Sequence, residues 1–334
     1  MFEVIEAPTY SQPSVLPSSR LDSLETSPHG TDAFIPLGPD EPLPDPGIEF
    51  RHSGWEPRRR CVIEALEGIP GTENRQHRFR QCGSNAWVME SDDEPGTYRI
   101  ACDKCKDRFC DPCARERARH IGQCVGKFAT GREIRFITLT LRHTSRTLKQ
   151  DVDRLYASFT KLRRRAKWKA TQQGGIFFIE VKRRRGDRSW HVHMHILAEG
   201  LNLAKRWLSD AWLKATGDSF IVDLSLCDDH NKAAYYAAKY AGKGLHGTCY
   251  HEPEILREGM QALKGRRLVG KWGTWSDLDL DTEPPEGEWH GVDTLNRLIE
   301  RSSRGDTEAA MILQSLTGEK PCQTNPNEQP AHGP

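Results

Sequence analysis

The chain has 334 residues, of which 36% are hydrophobic, and a formal net charge of +1. This length suffices for one or two domains with a hydrophobic core, and a mean hydropathy of −0.69 is too polar for a multi-span membrane protein. Its apolar runs fall far short of the roughly 20 residues that cross a bilayer, and the acidic N-terminus lacks the basic start of a secretory signal. We therefore expect a cytoplasmic protein with no membrane partner.

The small net charge conceals three segments of opposite sign. Residues 1–50 contain nine acidic residues and one basic residue, whereas residues 134–200 contain 16 basic and five acidic residues. Residues 276–334 are acidic again, with 12 acidic and four basic residues. A basic middle between acidic ends predicts a core that binds a polyanion, and the alternative is an ordinary solvated surface.

Composition divides the chain into four regions. Residues 1–58 are rich in proline, serine and acidic residues, which predicts a disordered tail. Residues 61–125 hold seven of the ten cysteines and are predicted to form a zinc-binding region. Residues 130–250 are predicted to form the main domain, and residues 251–334 a C-terminal region that ends partly as a disordered acidic tail.

The cysteine-rich region contains the sequence C-D-K-C-K-D-R-F-C-D-P-C. Its two C-x-x-C pairs are Cys102 with Cys105 and Cys110 with Cys113. Four thiolates complete the tetrahedron that zinc prefers, so we expect a structural zinc site. The gap between the pairs is short, and Cys82 or Cys61 is an alternative member of the set. Disulfides are the competing interpretation, which the lack of a secretory signal disfavours.

Hydrophobic periodicity from residue 134 onward predicts an α+β domain. The predicted strands are 134–141, 176–181, 190–197 and 219–226, and the predicted helices are 147–169, 203–216 and 231–243. This order predicts a central antiparallel sheet with helices packed on it. Gly174 and Gly175 are expected to break the first helix. Trp272 and Trp275 are expected to pack back on the core, ahead of an acidic linker or tail.

A histidine-rich segment, S-W-H-V-H-M-H-I-L, places His191, His193 and His195 in strict alternation. Alternate residues of a strand share one face, so the three imidazoles would line one side of the sheet while the apolar residues between them face the core. We interpret this row as a metal site, with Glu180 on the neighbouring strand as a candidate carboxylate ligand. An exposed sheet glutamate is the competing interpretation for that residue.

A tyrosine-rich segment, A-A-Y-Y-A-A-K-Y-A-G-K-G, is predicted to be helical. Tyr236 and Tyr240 are one helical turn apart, and so are Lys239 and Lys243. Aromatic residues at this spacing are often core residues, and that is the competing interpretation. Beside a metal site, the tyrosines are candidate nucleophiles, because neighbouring cations favour the phenolate.

These motifs together resemble those of the HUH endonucleases. H-V-H-M-H-I-L is similar to their histidine-hydrophobe-histidine motif, with His193 and His195 in the positions of the metal-binding pair. The residues from Tyr236 to Lys243 match the Y-x-x-K-Y-x-x-K motif of the two-tyrosine replication initiators, and R-F-I-T-L-T-L resembles their first strand motif. The resemblance covers about residues 134–245, with the motifs in the order typical of replication initiators.

The resemblance implies an HUH or RRM-like nuclease fold that nicks single-stranded DNA at a replication origin. It implies Mg or Mn at His193, His195 and Glu180, and attack by Tyr240 that gives a 5′-phosphotyrosine and a free 3′-hydroxyl for a host polymerase. Tyr236 would make a second cut, but many plasmid initiators have glutamate at that position and use one tyrosine. Because the sequence lacks a phosphate-binding loop motif, a host helicase is the expected partner for unwinding.

Two basic runs are the predicted DNA contacts. They comprise Arg163, Arg164, Arg165, Lys167, Lys182, Arg183, Arg184 and Arg185. The additional His191 is predicted to orient a metal ligand or to contact DNA, and Trp168 or Trp190 to stack on bases. Two alternatives remain at this stage: a two-tyrosine HUH transposase, and a zinc-containing DNA-binding regulator without catalysis.

Overall fold

The computed structural model describes residues 45–142, 146–184, 189–227, 229–242, 245, 247–281 and 287–317. The helices in these ranges are α1 (Pro46–His52), α2 (Glu56–Glu67), α3 (Glu73–Arg80), α4 (Asp111–Ala129), α5 (Leu148–Arg163), α6 (Ala166–Thr171), α7 (Lys205–Thr216), α8 (His230–Ala241), α9 (Pro253–Ala262), α10 (Leu295–Ser303) and α11 (Thr307–Thr317), with a 3₁₀ helix at Gly247–His251. None of these helices combines the length and hydrophobicity that a bilayer span requires.

The strands form two antiparallel sheets. Their bounds are β1 (Trp87–Ser91), β2 (Tyr98–Ala101), β3 (Ile134–Thr140), β4 (Gln172–Arg183), β5 (Trp190–Gly200), β6 (Val222–Cys227), β7 (Val269–Gly273) and β8 (Trp289–Thr294). The larger sheet has the order β6-β3-β5-β4-β7, and the smaller has the order β2-β1-β8. Antiparallel sheets flanked by helices confirm the predicted α+β class.

The five-stranded sheet buries both of its faces, but with different helices. Val192, Met194 and Ile196 are at most 1% exposed on the face that packs into the larger core with α5 and α7. Phe136 and Phe178 lie on the other face, in a second core with α4 and α8. The histidines alternate with the first set along β5, so they lie on the α8 side of the sheet.

The helices of this domain begin and end at residues that the sequence marks. Thr147 caps α5 in a capping box, in which its hydroxyl accepts from the Gln150 amide and the Gln150 side chain accepts from the Thr147 amide. Gly217 ends α7 in the left-handed conformation, with φ at 88°. Asp229 caps α8, because its carboxylate accepts from the Asn231 amide at 2.6 Å.

The predicted helix over 147–169 is wrong at its C-terminal end. It stops at Arg163, a second short helix follows, and β4 then includes Gly174 and Gly175, which were expected to lie in a break. A Cβ atom on Gly175 would lie 2.5 Å from the Trp272 ring. Trp272 and Trp275 are buried, as predicted. The glycines therefore leave room for a tryptophan of β7 rather than ending an element.

The predicted disordered tail over 1–58 is corrected at its end, because α1 begins at Pro46. The Asp45 carboxylate accepts from the Gly47 amide at 2.8 Å, and Pro46 fits the first turn. His52 is buried, with its Nε2 hydrogen-bonded to the Cys82 carbonyl at 3.1 Å. Composition averages over such local caps and contacts, which is why it misses this helix. The rest of the predicted tail, residues 1–44, lies outside the described residues.

The region beyond residue 250, predicted to end partly as an acidic tail, contributes two strands to sheets that begin earlier in the chain. β7 pairs with β4 and extends the five-stranded sheet, while β8 pairs with β1, about 200 residues earlier in the chain. Leu298 and Ile312 of the two last helices are buried. The pairing partners are distant in sequence and the strands are short, so local periodicity does not reveal them. Residues 282–286 and 318–334 lie outside the described residues.

Candidate functional site

The histidine row is held by the strands on either side of it. His193 lies opposite Thr140 on β3 and opposite Glu180 on β4. His195 lies opposite Thr138 on β3. The structure thus brings together the two histidines and the glutamate that the sequence predicts as metal ligands, because antiparallel pairing aligns their side chains on one face.

Hydrogen bonds from β3 orient both imidazoles. The Thr138 hydroxyl is hydrogen-bonded to His195 Nδ1 at 3.1 Å, and the Thr140 hydroxyl is hydrogen-bonded to His193 Nδ1 at 3.2 Å. Each histidine therefore directs Nε2 away from β3, which is how metal-ligating histidines are usually oriented. Sequence reasoning missed these threonines, although the alternation in I-T-L-T placed them on the histidine face.

Glu180 is the charged partner of the row. Its carboxylate is 2% exposed and lies 3.2 Å from His195 Nε2 and 3.2 Å from Lys182 Nζ. Burial disfavours the carboxylate, but the hydrogen bond from His195 and the charge of Lys182 outweigh it and lower the pKa of Glu180 to about 2. A negative charge is therefore present beside the imidazoles at neutral pH.

His193 remains neutral in this environment. Burial, followed by the charges of His191 and Lys182, lowers the pKa of His193 to about 3. The rings of His191 and His193 are 4.2 Å apart, so the third histidine continues the row. The ligand atoms of His193, His195 and Glu180 do not all lie within 4.8 Å of one another. In the described residues that spacing is met by the group of Cys82, Cys105, Cys110 and Cys113. Neutral imidazoles and a carboxylate are nevertheless ligand types that suit Mn²⁺.

The tyrosines of α8 lie directly over this row. The Tyr240 ring stacks on His195 with 3.7 Å between ring centroids and 15° between planes. Tyr236 stacks on Phe136 at 4.0 Å, and the two tyrosine rings are 6.5 Å apart and nearly parallel. The strand that carries the histidines and the helix that carries the tyrosines thus form one site.

The phenol of Tyr240 is protonated at neutral pH in this arrangement. Burial, followed by the charge of Glu180, raises the pKa of Tyr240 to about 12. Lys239 Nζ lies 5.4 Å from the centre of the Tyr240 ring, but the pKa of the phenol is not lowered as expected beside a cation. The other predicted lysine, Lys243, lies outside the described residues.

The position of α8 is set by close packing against α4. A Cβ atom on Gly122 would lie 2.8 Å from the Ala238 Cβ, and one on Gly126 would lie 2.9 Å from the Ala234 Cβ. Real Cβ atoms essentially never come this close, so only glycine allows the observed approach. The small residues of the tyrosine helix therefore have a packing role, which the sequence interpretation did not assign.

The predicted cysteine quartet is wrong in one member. The thiols that converge are those of Cys82, Cys105, Cys110 and Cys113. Cys102 instead packs against the core around β1, β8 and the last two helices. Backbone hydrogen bonds between Asp103 and the 83–84 segment, at 2.8 and 2.9 Å, bring Cys82 to the position that spacing had assigned to Cys102. Cys61, the other alternative, is not in the group.

The geometry of the four thiols fits a zinc ion. Three of the Sγ–Sγ distances are 3.6 Å (Cys82–Cys113) and 3.7 Å (Cys82–Cys110 and Cys105–Cys113). A tetrahedron with Zn–S bonds of about 2.3 Å has edges of about 3.8 Å. The described cysteines are free thiols, so no disulfide competes within this group. This cluster could hold a structural zinc.

Arg51 of α1 supports the same interpretation of the cysteine group. Its Nε donates to Cys82 Sγ and its guanidinium also donates to Cys113 Sγ, both at 3.3 Å, while a third N–H donates to Glu116 at 2.9 Å. Donors directed at sulfur stabilise thiolates, the form that binds metal. No sequence pattern pointed to this residue, because it lies in the segment predicted to be disordered.

Among the predicted DNA contacts, only Lys182 is shown on the histidine face, where it lies opposite His191. Arg183 points away and pairs with Glu258 at 2.9 Å. The 163–167 run, with Arg163, Arg164, Arg165 and Lys167, lies at the end of α5 and in α6, on the opposite side of the sheet. Arg184 follows the end of β4, where its backbone N–H donates to the Ser189 carbonyl at 3.1 Å, and Arg185 lies outside the described residues.

The predicted stacking tryptophans are corrected. Trp168 is 2% exposed and Trp190 is 4% exposed, and both belong to the larger core. Trp190 Nε1 donates to Glu258 at 2.6 Å. Neither ring is accessible to a base. A basic segment with tryptophans suggests nucleic-acid stacking, but in this chain the tryptophans fill the core between sheet and helices.

The fold and the site together define an α+β protein whose antiparallel sheet presents histidines to a tyrosine helix, next to a cysteine cluster. Residues 99–211 match a family model described as "Replication protein". This span begins within β2, includes the C-x-x-C pairs and the histidine strand, and ends before α8. The match covers the part of the chain that carries the predicted metal ligands.

Two curated proteins are similar over a larger part of the chain. A "Protein rep" of Staphylococcus aureus is 29% identical over 160 residues, which are 42% of this chain and 69% of that protein. A "Protein rep" of Streptococcus pneumoniae serotype 2 is 23% identical over 231 residues, which are 63% of this chain and 69% of that protein. No solved structure is significantly similar to the chain. The chain is thus similar to replication (Rep) proteins, as its sequence motifs indicated.

Proposed function

We propose that this protein initiates rolling-circle replication by nicking single-stranded origin DNA with Tyr240. The observation that carries the proposal is the stack of Tyr240 on His195, at 3.7 Å between ring centroids. A nucleophile has to lie beside the group that activates its target. The similarity to Rep proteins supports DNA as the substrate.

The chemistry is a transesterification at one phosphate. The Tyr240 oxygen forms a bond to phosphorus, the bond from phosphorus to the 3′-oxygen breaks, and the proton lost by the phenol is balanced by one gained at the 3′-oxygen. The products are a 5′-phosphotyrosine and a free 3′-hydroxyl, which a host polymerase would extend after a host helicase opens the duplex. Because the ester conserves the energy of the broken bond, the reaction can be reversed to close a circle.

The residues that would hold a divalent metal are His193, His195 and Glu180. Mg²⁺ or Mn²⁺ bound there would polarise the scissile phosphate. The hydroxyls of Thr138 and Thr140 hold the imidazoles in orientation. Lys182, which pairs with Glu180, would contribute positive charge toward the DNA backbone.

Tyr236 is the candidate for a second transfer. Its ring lies parallel to that of Tyr240 at 6.5 Å, but it stacks on Phe136 rather than on a histidine. We therefore propose that Tyr240 makes the first cut and that Tyr236 acts afterwards, on the regenerated origin. The structural zinc proposed at the cysteine group has no direct part in the reaction.

The proposal predicts that single-stranded origin DNA is nicked in the presence of Mn²⁺ and that Tyr240→Phe abolishes the first nick. Tyr236→Phe is the matched control, because it removes the same hydroxyl from the next turn of the same helix. It should retain the first nick and lose only the second transfer. Full activity of Tyr240→Phe would contradict the assignment, and wild-type protein that never nicks its own origin would contradict the function.

A further inference from the structure

The aromatic residues of α8 fall into two classes. Tyr236 and Tyr240 stack on Phe136 and His195 and are partly buried. Tyr235, the residue before them, is 56% exposed. Burial therefore accounts for two of the three rings, whereas the ring of Tyr235 is left in solvent beside the site.

Tyr235 is nevertheless in contact with the reactive part of the helix. Its ring lies 5.8 Å from that of Tyr236 in an edge-to-face arrangement. The ammonium of Lys239 lies 5.8 Å from the centre of the Tyr235 ring and 5.4 Å from that of Tyr240. One exposed cation thus lies close to both the exposed ring and the proposed nucleophile.

Other exposed aromatic rings do not share this position. Within the described ranges, Phe50, Trp87 and Phe220 are also exposed large aromatic residues. Tyr235 alone among these four has a ring contact with a tyrosine of the motif. The tryptophans that the sequence offered for base stacking are buried, so Tyr235 is the ring near the site that a base can reach.

We propose that Tyr235 is a positioning residue whose ring stacks on a nucleobase of the single strand next to the cleaved phosphate, with Lys239 facing the adjoining backbone. The inference rests on the proposed function, because it needs a strand whose phosphate lies at Tyr240. An exposed ring is a suitable platform, since every base has a π-face and stacking tolerates sequence. A nearby cation completes the contact by neutralising phosphate.

The hydroxyl of Tyr235 has no part in this role. Phenylalanine presents the same ring and should substitute for it, whereas leucine keeps an apolar side chain of similar burial and removes the π-face. This separates a stacking residue from a third nucleophile, which would need its oxygen. It also separates stacking from simple hydrophobic cover of the helix.

The test pairs variants of Tyr235 with oligonucleotides that lack one base. Single-stranded origin oligonucleotides carry an abasic nucleotide at each position around the nick, one at a time, and binding and nicking are measured with Mn²⁺. For the wild type, one position should weaken binding by about 5- to 100-fold when abasic. Tyr235→Ala and Tyr235→Leu should weaken binding of the intact oligonucleotide by a similar factor. For these variants, removal of that base should cause no further loss of affinity.

Kinetics give the second readout. We expect Tyr235→Ala and Tyr235→Leu to raise KM with little change in kcat, and Tyr235→Phe to match the wild type in both. Trp87→Ala is the control, because Trp87 is an exposed aromatic residue of the three-stranded sheet. Its removal should leave binding and the abasic profile unchanged.

Two kinds of failure can be told apart. Suppose that the wild type nicks the oligonucleotide, but that Tyr235→Ala and each abasic position weaken binding by independent factors. The ring and the base then do not interact, so the stacking role is wrong and the proposed function stands. The same conclusion follows if Tyr235→Phe is as impaired as Tyr235→Ala. If the wild type neither nicks nor forms an adduct, the proposed function itself is wrong.

Discussion

Two threonine hydroxyls fix the orientation of the imidazoles at the candidate metal site. Thr138 and Thr140 each contact the Nδ1 of the histidine opposite on β5. Side chains that hold ligands in this way commonly change metal affinity by about 10- to 100-fold when removed. Valine has nearly the same shape as threonine and lacks the hydroxyl, so it isolates this contribution.

We therefore predict that the double variant Thr138→Val, Thr140→Val binds Mn²⁺ about 10- to 100-fold more weakly than the wild type, as measured by calorimetric titration. Thr171→Val is the control, since the Thr171 hydroxyl donates to the Lys167 carbonyl at 2.7 Å in α6, away from the site. An unchanged Mn²⁺ affinity in the double variant would show that these hydroxyls do not orient ligands.

At the residue scale, the sequence could predict which side chains share a face wherever periodicity applies. Strict alternation placed His193 and His195 on one face, and the helical repeat placed Tyr236 and Tyr240 on one side of α8. It could not identify Cys82 over Cys102, because that choice depends on how Asp103 pairs with a segment about 20 residues away. It also could not distinguish a buried tryptophan from an exposed one.

The contact between α4 and α8 links the cysteine cluster to the tyrosine helix. α4 begins directly after Cys110 and contains Cys113 in its first turn. Further along the same helix, Gly122 and Gly126 allow α8 to approach to near contact of backbones. A rigid helix held at one end by a metal cluster would thus define where Tyr240 lies.

We predict that Gly122→Val displaces α8 and that it lowers the nicking rate by a larger factor than it lowers the affinity for Mn²⁺. Overpacking of this kind typically costs about 1–3 kcal/mol of unfolding free energy, and a misplaced nucleophile can cost about 100-fold in rate. Stopped-flow nicking and calorimetric Mn²⁺ titration measure the two effects. Gln123→Val, at the next and exposed position, is the control. Equal nicking by both variants would contradict the role of this contact.

Among the elements, most strands and helices from 134 to 241 were predictable because their own sequences carry the pattern, whereas the end of α5, the short α6 and the start of β4 were not. β7, β8 and α1 were not. β8 reads W-H-G-V-D-T, too short and too polar to identify as a strand, and its partner β1 is about 200 residues earlier. Such strands are stabilised by pairing and by burial that the fold supplies, rather than by their own propensity.

On the scale of the whole molecule, the cysteine cluster brings together three segments that are separated in sequence. It connects the region after α3, the knuckle around Cys105 and the start of α4, and Arg51 attaches α1 to it. Structural zinc contributes directly to folding free energy in small modules. Loss of the ion should therefore loosen the N-terminal half and, through α4, the tyrosine helix.

Two serine variants test the composition of this cluster. We predict that Cys82→Ser lowers the zinc content of purified protein and its melting temperature, because it removes one of four thiolates. Cys102→Ser should leave both unchanged, since Cys102 lies outside the group. Elemental analysis and thermal unfolding give the result. Zinc loss in Cys102→Ser, with full zinc in Cys82→Ser, would show that Cys102 and not Cys82 is the fourth ligand.

The central claim is that Tyr240 lies where it can attack a phosphate held at the histidine row. Mass spectrometry of the protein after reaction with single-stranded origin DNA and Mn²⁺, followed by nuclease and protease digestion, tests it most directly. We predict a 5′-linked nucleotide on the peptide containing Tyr240, and none on that peptide when His193 and His195 are replaced by alanine. A nucleotide found on another residue, or DNA nicked without any adduct, would contradict the claim.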